Sequence, residues 1–189
     1  DIVLDIGAGI GEETLIFADM VAPKGKVYAI EANPEVFEVL SDLVKHNQLN
    51  NVELFNIALT QNDGQIFLLK EEAGFLGGTI SNEQEQDGYE VMGLRIDNFI
   101  KQNNIEKIDL LKCNIEGAER FVLDTIGDYI KIVKNVAISC HDFRYPENNN
   151  EFYKTKKLVT EFLLDNHFTV QTQTNKANHI MDWVYGQAK

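Results

Sequence analysis

The chain opens with Asp1-Ile2-Val3-Leu4-Asp5-Ile6-Gly7-Ala8-Gly9-Ile10-Gly11-Glu12, and the reading of these residues decides the fold. Ile2 to Ile6 is a short apolar run rich in β-branched residues, which reads as a buried strand; three alternate glycines follow before an amphipathic stretch begins. The pattern is a strand, a tight glycine turn and a helix start. Glycine meets two needs there. The turn asks for backbone angles that a side chain opposes, and a ligand can lie against bare backbone at the helix amino terminus.

The spacing of the glycines chooses between ligands. A dinucleotide fingerprint reads Gly-x-Gly-x-x-Gly, whereas Gly7, Gly9 and Gly11 alternate strictly, with Asp5 two residues ahead. Glu31 closes the second apolar run, Val27-Tyr28-Ala29-Ile30, where an acidic side chain can accept hydrogen bonds from both hydroxyls of a ribose. Asp-x-Gly-x-Gly-x-Gly resembles the first motif of the class I S-adenosylmethionine-dependent methyltransferases. That resemblance implies S-adenosyl-L-methionine as cofactor, with the glycine turn under its amino acid end. No pyrophosphate then has to be cradled, so the acid at Asp5 is no liability.

At 189 residues with 44% hydrophobic content, the chain fits one soluble globular domain spanning residues 1–189. Asp1 stands directly before the first strand, so the natural amino-terminal segment is expected to be missing. No apolar run reaches membrane-spanning length, and no basic leader precedes an apolar signal segment. A net charge of −13 opposes tight binding to a phosphate backbone, so neither nucleic acid nor membrane is expected as a partner. Cys113 and Cys140 each fall inside an expected strand without a partner at ligand spacing, which reads as buried thiols in a reducing, cytoplasmic compartment.

Further along, helix-period apolar residues run from 14 to 21 and end at Pro23-Lys24-Gly25. Asn33 reads as the cap of a second helix with Pro34 at its first position, closing at His46, an exposed histidine that complements the helix dipole. Residues 52–57 read as a third strand, with Asn56 and Ala58 at its carboxyl end, where an open parallel sheet meets its ligand. Residues 65–70 read as a strand after an Asn62-Asp63-Gly64 turn, and 71–88 as an irregular loop, favoured as a mobile substrate loop over a disordered insert. Residues 91–95 read as an edge strand and Asp97 as the cap of a short helix. Strands are then expected at 108–113 and 136–139, a long helix at 153–166, and a closing antiparallel pair at 168–173 and 180–185. The fold class expected is α/β, a doubly wound, Rossmann-like sheet, mostly parallel with an antiparallel last strand.

Lys112-Cys113-Asn114-Ile115-Glu116-Gly117-Ala118-Glu119 is similar to the Lys-Ile-Asp-x-Glu-Gly-Ala-Glu signature of the FkbM family of methyltransferases. Ala32-Asn33-Pro34, Asn56-x-Ala58-Leu59 and Leu94-x-Ile96-Asp97 agree with that family's pattern. The resemblance implies O-methylation of a hydroxyl on a sugar or polyketide-like small molecule. It also implies that Asp5, Gly7, Gly9, Gly11 and Glu31 hold the cofactor together with Ala32, Asn56, Ala58 and Asn114. Asn114 departs from the family's aspartate; an amide orients a hydroxyl but is no base.

An alcohol attacking a methyl carbon has to lose its proton. His141, at the end of an expected strand in Cys140-His141-Asp142, is the first candidate base, with Glu116 and Glu119 next. Each has a structural reading beside it: His141 paired with Asp142, and the two glutamates acting on the dipole of the following helix. His167 and His179 flank the last hairpin and read as structural. No metal is expected, although a magnesium-dependent catechol-type alternative would use Asn114, Glu116 and Asp142. A catalytically degenerate scaffold domain is the alternative from another class, and a dehydrogenase domain the third.

Overall fold

The apolar run at the start of the chain forms β1 (Ile2–Ile6), buried from Val3 onward, in a computed structural model that describes residues 1–70, 78–81, 88–145, 150–173 and 181–189. The chain divides into two compact units, Asp1–Leu94 and Arg95–Lys189.

In the first unit, β1 leads through the glycine turn into α1 (Glu12–Val21), whose first turn carries Glu12 and Glu13 on the positive end of the helix dipole. Gly11 caps α1 with φ of 96°, and a Cβ there would sit 2.7 Å from Leu40 Cδ1, so both backbone angle and packing favour glycine at this helix start. Parallel pairing joins β1 to β2 (Lys26–Ile30) and β2 to β3 (Val52–Phe55), with Asp5 opposite Ala29 and Ile30 opposite Phe55. Between the last two lies α2 (Pro34–His46). Its cap is the expected one: Asn33 Oδ1 accepts from Glu35 N at 3.0 Å and Val36 N at 3.4 Å. Val36 and Leu40 are its buried face, each worth about 1.5–3 kcal/mol relative to exposure.

The third strand expected at 52–57 breaks at Asn56. Its side-chain amide turns back to the carbonyls of Glu31 at 2.9 Å and Ala32 at 3.1 Å, and the chain leaves the first sheet. The next strand, β4 (Ile57–Leu59), belongs to a separate four-stranded sheet in the order β4-β7-β5-β6, with β5 Gly64–Lys70, β6 Gly78–Ser81 and β7 Gly88–Leu94. Residues 78–81, expected to be loop, are therefore a strand, held by antiparallel pairing such as Leu68 opposite Ile80. Residues 71–77 and 82–87, where the rest of the substrate-loop reading falls, lie outside the described residues. Nor is β7 an edge strand: it pairs on one side with β4 and on the other with β5.

The second unit begins with α3 (Ile96–Gln102), capped by Arg95 rather than Asp97. Asp97 sits inside the first turn, where hydrogen bonding to Arg95 outweighs partial burial and holds its carboxyl below the usual range. Then come β8 (Leu110–Cys113), α4 (Glu119–Ile126), a 3₁₀ turn over Gly127–Ile132, and β9 (Asn135–Ser139), parallel to β8 with Cys113 opposite Ile138. The helix expected from 153 is shorter, α5 (Lys156–Asp165), after a separate 3₁₀ turn at Glu151–Tyr153. Its start is set by Asp142, whose carboxylate accepts from Thr155 N at 2.9 Å and Lys156 N at 2.8 Å. β10 (Phe168–Thr172) pairs antiparallel with β11 (Trp183–Ala188), and β11 pairs antiparallel with β9. Leu111, Val122, Ile126, Ile138, Leu163 and Val184 fill the core of this unit.

Strands alternating with helices, mostly parallel with an antiparallel strand at the end of the chain, define a doubly wound, Rossmann-like α/β fold. Among the described residues no helix is long and apolar enough to cross a membrane.

Candidate active site

The first cluster of candidate residues is built at the carboxyl ends of β1 and β2. Gly7, Gly9 and Gly11 have φ of 71°, 57° and 96°, all in the left-handed region that favours glycine. The N–H groups of Gly7 and Ala8 both donate to Ile30 O at 2.9 Å, which fastens the turn to the end of β2. Glu31 completes the fastening. One carboxylate oxygen accepts from Gly9 N at 2.9 Å and the other from Asn33 N at 2.8 Å. The acid therefore bridges the glycine turn and the start of α2.

Around Gly9 the space is open, with nothing within 4 Å of the place a Cβ would take. Gly9 thus serves backbone angle and access, whereas Gly11 serves helix packing. Asp5 is wholly buried and accepts from Thr14 Oγ1 at 2.6 Å, so it ties the strand to α1. Ala58 and Val91 form a small buried cluster with Ala32 and Ile66 against it. In this structure Ala58 and Ala32 therefore pack together, while Asn56 holds the backbone of residues 31 and 32.

The second cluster stands at the carboxyl ends of β8 and β9. Asn114 follows β8 with its Oδ1 buried and without a hydrogen-bond partner. Glu116 then takes φ of 56°, unusual for a residue with a side chain, and Gly117 takes 95°. A Cβ on Gly117 would lie 2.9 Å from the Phe152 ring, so the turn is pressed against the 3₁₀ segment that precedes α5. Glu119, fully buried, brings Oε1 to 2.9 Å from His141 Nδ1 and accepts from Ile115 N at 3.2 Å. Its second oxygen accepts from Thr155 Oγ1 at 3.4 Å. On the other side of the ring, His141 Nε2 lies 3.4 Å from Glu116 Oε1, and Arg144 Nε lies 3.0 Å from Glu116 Oε2.

Charges thus alternate along Glu119, His141, Glu116 and Arg144. Burial alone would lower the His141 pKa, but the hydrogen bonds and charges of Glu116 and Glu119 outweigh it and raise the value to about 9. Burial would raise Glu116, yet His141 and Arg144 together hold its carboxyl below the usual range. Both ends favour the ionised pair. Asp142 is not the partner of His141; it caps α5, while Asp182 accepts from Phe143 N at 2.9 Å. The oxygens a magnesium-dependent reading would recruit are engaged elsewhere, Glu116 by cations and Asp142 by the helix start. Among the described residues no group of three His, Cys, Asp or Glu could hold a metal ion. Cys113 and Cys140 are free and buried, and burial pushes the Cys140 thiol up, away from nucleophile chemistry.

His46 closes α2 as expected, His167 (φ 65°) turns the chain from α5 into β10, and His179 lies outside the described residues. Thr14, Thr155 and Arg144 were not singled out from the sequence. Each gains its role from a partner distant in the chain or, for Arg144, from a short turn, and no local pattern marks them.

The fold is that of a methyltransferase-class α/β domain. The chain belongs to the methyltransferase FkbM domain family, which it matches over residues 5–183. Its fold is similar to the methyltransferase FkbM of Methylobacillus flagellatus KT, with TM-score 0.65 and 16% identity, covering 97% of this chain and 42% of that one. A putative rRNA methylase from Clostridium thermocellum is similar at TM-score 0.62 and 16% identity, covering 99% and 86%. Aeropyrum pernix fibrillarin, solved with natively bound S-adenosyl-L-methionine, is similar at TM-score 0.56 and 14% identity, covering 100% and 66%. Curated relatives match over short stretches of 36 to 52 residues, between 14% and 25% of their own length.

Proposed function

We propose that the chain is an S-adenosylmethionine-dependent O-methyltransferase domain acting on a hydroxyl of a small molecule or sugar. The observation that carries the cofactor reading is the Glu31 carboxylate, held by Gly9 N and Asn33 N beside the open face of Gly9. Gly7, Gly9 and Glu31 hold the cofactor, with Asp5, Gly11, Asn56, Ala32 and Ala58 shaping the turn around it. Asn114, which the family resemblance adds to the cofactor residues, belongs to the second unit, where its Oδ1 is buried and has no hydrogen-bond partner among the described residues. When bound, the cofactor supplies a methyl group already activated by a sulfonium charge.

What remains for the protein is alignment and proton removal. Glu116 and Glu119 raise the His141 pKa to about 9, which favours a supporting role for His141 over that of the free base expected from sequence. Glu116, the partly exposed carboxylate of the cluster, takes the proton, with His141 and Glu119 as its support. A weak base suffices, because an alcohol oxygen becomes strongly acidic as its bond to carbon forms. The single-domain reading extends over both units, and buried free thiols favour a cytoplasmic setting.

Calorimetric titration with S-adenosylmethionine and S-adenosylhomocysteine tests the cofactor site, with Glu31→Gln as variant and NADH as control. Micromolar binding that falls at least tenfold in the variant supports the reading; absence of binding by the intact chain favours the scaffold alternative. Labelled methyl transfer to a panel of hydroxylated acceptors then tests the acceptor class. RNA belongs in that panel because of the rRNA methylase likeness, although a net charge of −13 weighs against it.

A further inference from the structure

Glu116 is the one residue of the acid cluster whose backbone is strained. A left-handed conformation, here φ 56°, strains a residue with a side chain, and such strain persists only where the surroundings over-determine it. Two groups supply that determination. From below, the Phe152 and Tyr153 rings leave no room beyond hydrogen at Gly117. From the side comes Arg144, the last residue of the 3₁₀ turn Asp142–Arg144, which is tied to the end of β9 by Arg144 N donating to His141 O at 2.9 Å. The same turn therefore fixes Arg144 relative to the histidine that faces the other oxygen of Glu116.

The contact between Arg144 Nε and Glu116 Oε2 is an ion pair at 3.0 Å without hydrogen-bond alignment, so the guanidinium acts on this buried oxygen through charge. The guanidinium also lies over the Tyr153 ring, 5.7 Å from its centroid, which limits where the charge can go. The groups facing the carboxylate are His141 and Arg144; those facing His141 are Glu116, Glu119 and, at longer range, Asp182.

We infer that Arg144 is a positioning residue of this site: with His141 it holds the Glu116 carboxylate in its strained turn, oriented for proton removal. The inference rests on the methyltransferase reading for its purpose but not for its test.

The test is NMR titration of the full chain carrying ¹³C-carboxyl-labelled Glu and labelled His, for the native protein, Arg144→Gln and Arg144→Lys. Losing the cation raises the Glu116 midpoint by about one pH unit, the size expected for one opposite charge at contact distance, and raises the His141 midpoint by removing repulsion. Arg144→Lys, which keeps the charge on a different geometry, returns most of the Glu116 shift. S-adenosylmethionine affinity, which reads the first unit, stays within about twofold in every variant. Unchanged Glu116 and His141 midpoints in Arg144→Gln overturn the inference. So does a shift accompanied by loss of cofactor affinity in both variants, which marks a general structural role. Should Arg144→Gln not fold, Arg144→Met, which also lacks the charge, takes its place, and unchanged Glu116 and His141 midpoints in it overturn the inference. A native chain that binds no S-adenosylmethionine removes the methyltransferase reading and leaves these titrations interpretable.

Discussion

His141 Nδ1 and Glu119 Oε1 meet at 2.9 Å with both side chains buried, although the residues are 22 positions apart. The pair sets the electrostatics of the second cluster, and the first consequence is a pH dependence of stability. Folded, the imidazole has its pKa raised to about 9, well above the unfolded value near 6.5. The folded state thus binds the proton more tightly, so the contribution is complete below about pH 6.5 and is lost as pH rises through about 9. Urea unfolding at pH 6, 8 and 10 is expected to show a falling midpoint, with a flatter fall in His141→Gln. Equal slopes in both proteins count against a charged His141.

Glu119→Ala removes a buried carboxylate and strands the His141 charge, the Ile115 N–H and the Thr155 hydroxyl together. Breaking a buried pair on one side costs about 3–5 kcal/mol. Chemical denaturation at neutral pH measures it, and a loss below about 1 kcal/mol would mean that His141 is neutral in the native protein.

Gly9 and Gly11 are expected to fail in different ways. Gly9→Ala meets open space and bears only the strain of its left-handed angle, about 1–2 kcal/mol, while cofactor affinity falls at least tenfold. Gly11→Ala drives its methyl group toward Leu40 in addition to the same strain, so it costs about 1–3 kcal/mol more. Thermal unfolding beside calorimetric titration separates the two, and identical profiles would refute the division of roles.

Thr14→Val keeps volume but deprives the buried Asp5 of its 2.6 Å hydroxyl donor. A loss of about 1–3 kcal/mol is expected. Denaturant unfolding reads it directly, and an unchanged midpoint would show that the other contacts of Asp5 suffice.

Much of the first unit was readable from residues alone. The β-branched run, the alternate glycines and the Asn33-Pro34 helix start each act through near neighbours, so local chemistry determines them. The same holds for the antiparallel closing pair, since a short connection forbids a helical crossover. Readings failed where the local signal was real but outweighed. Asp97 is a good cap by type, yet Arg95 two residues away draws its carboxylate into the first turn. Residues 52–57 have one continuous strand pattern, yet the Asn56 side chain finds two backbone carbonyls and divides it.

For the candidate site the division is sharper. The sequence by itself determined which chemistry was available: a glycine turn, an acid at the end of the second strand, and a histidine among carboxylates. Only the tertiary structure decided which groups face one another. Glu119 rather than Asp142 reaches His141, Asp142 instead starts α5, and Arg144 closes on Glu116. The reason is physical. Periodicity, capping and turn preference are properties of adjacent residues, whereas the partner of a buried charge is chosen by strand register and helix placement, which bring together positions far apart in the chain.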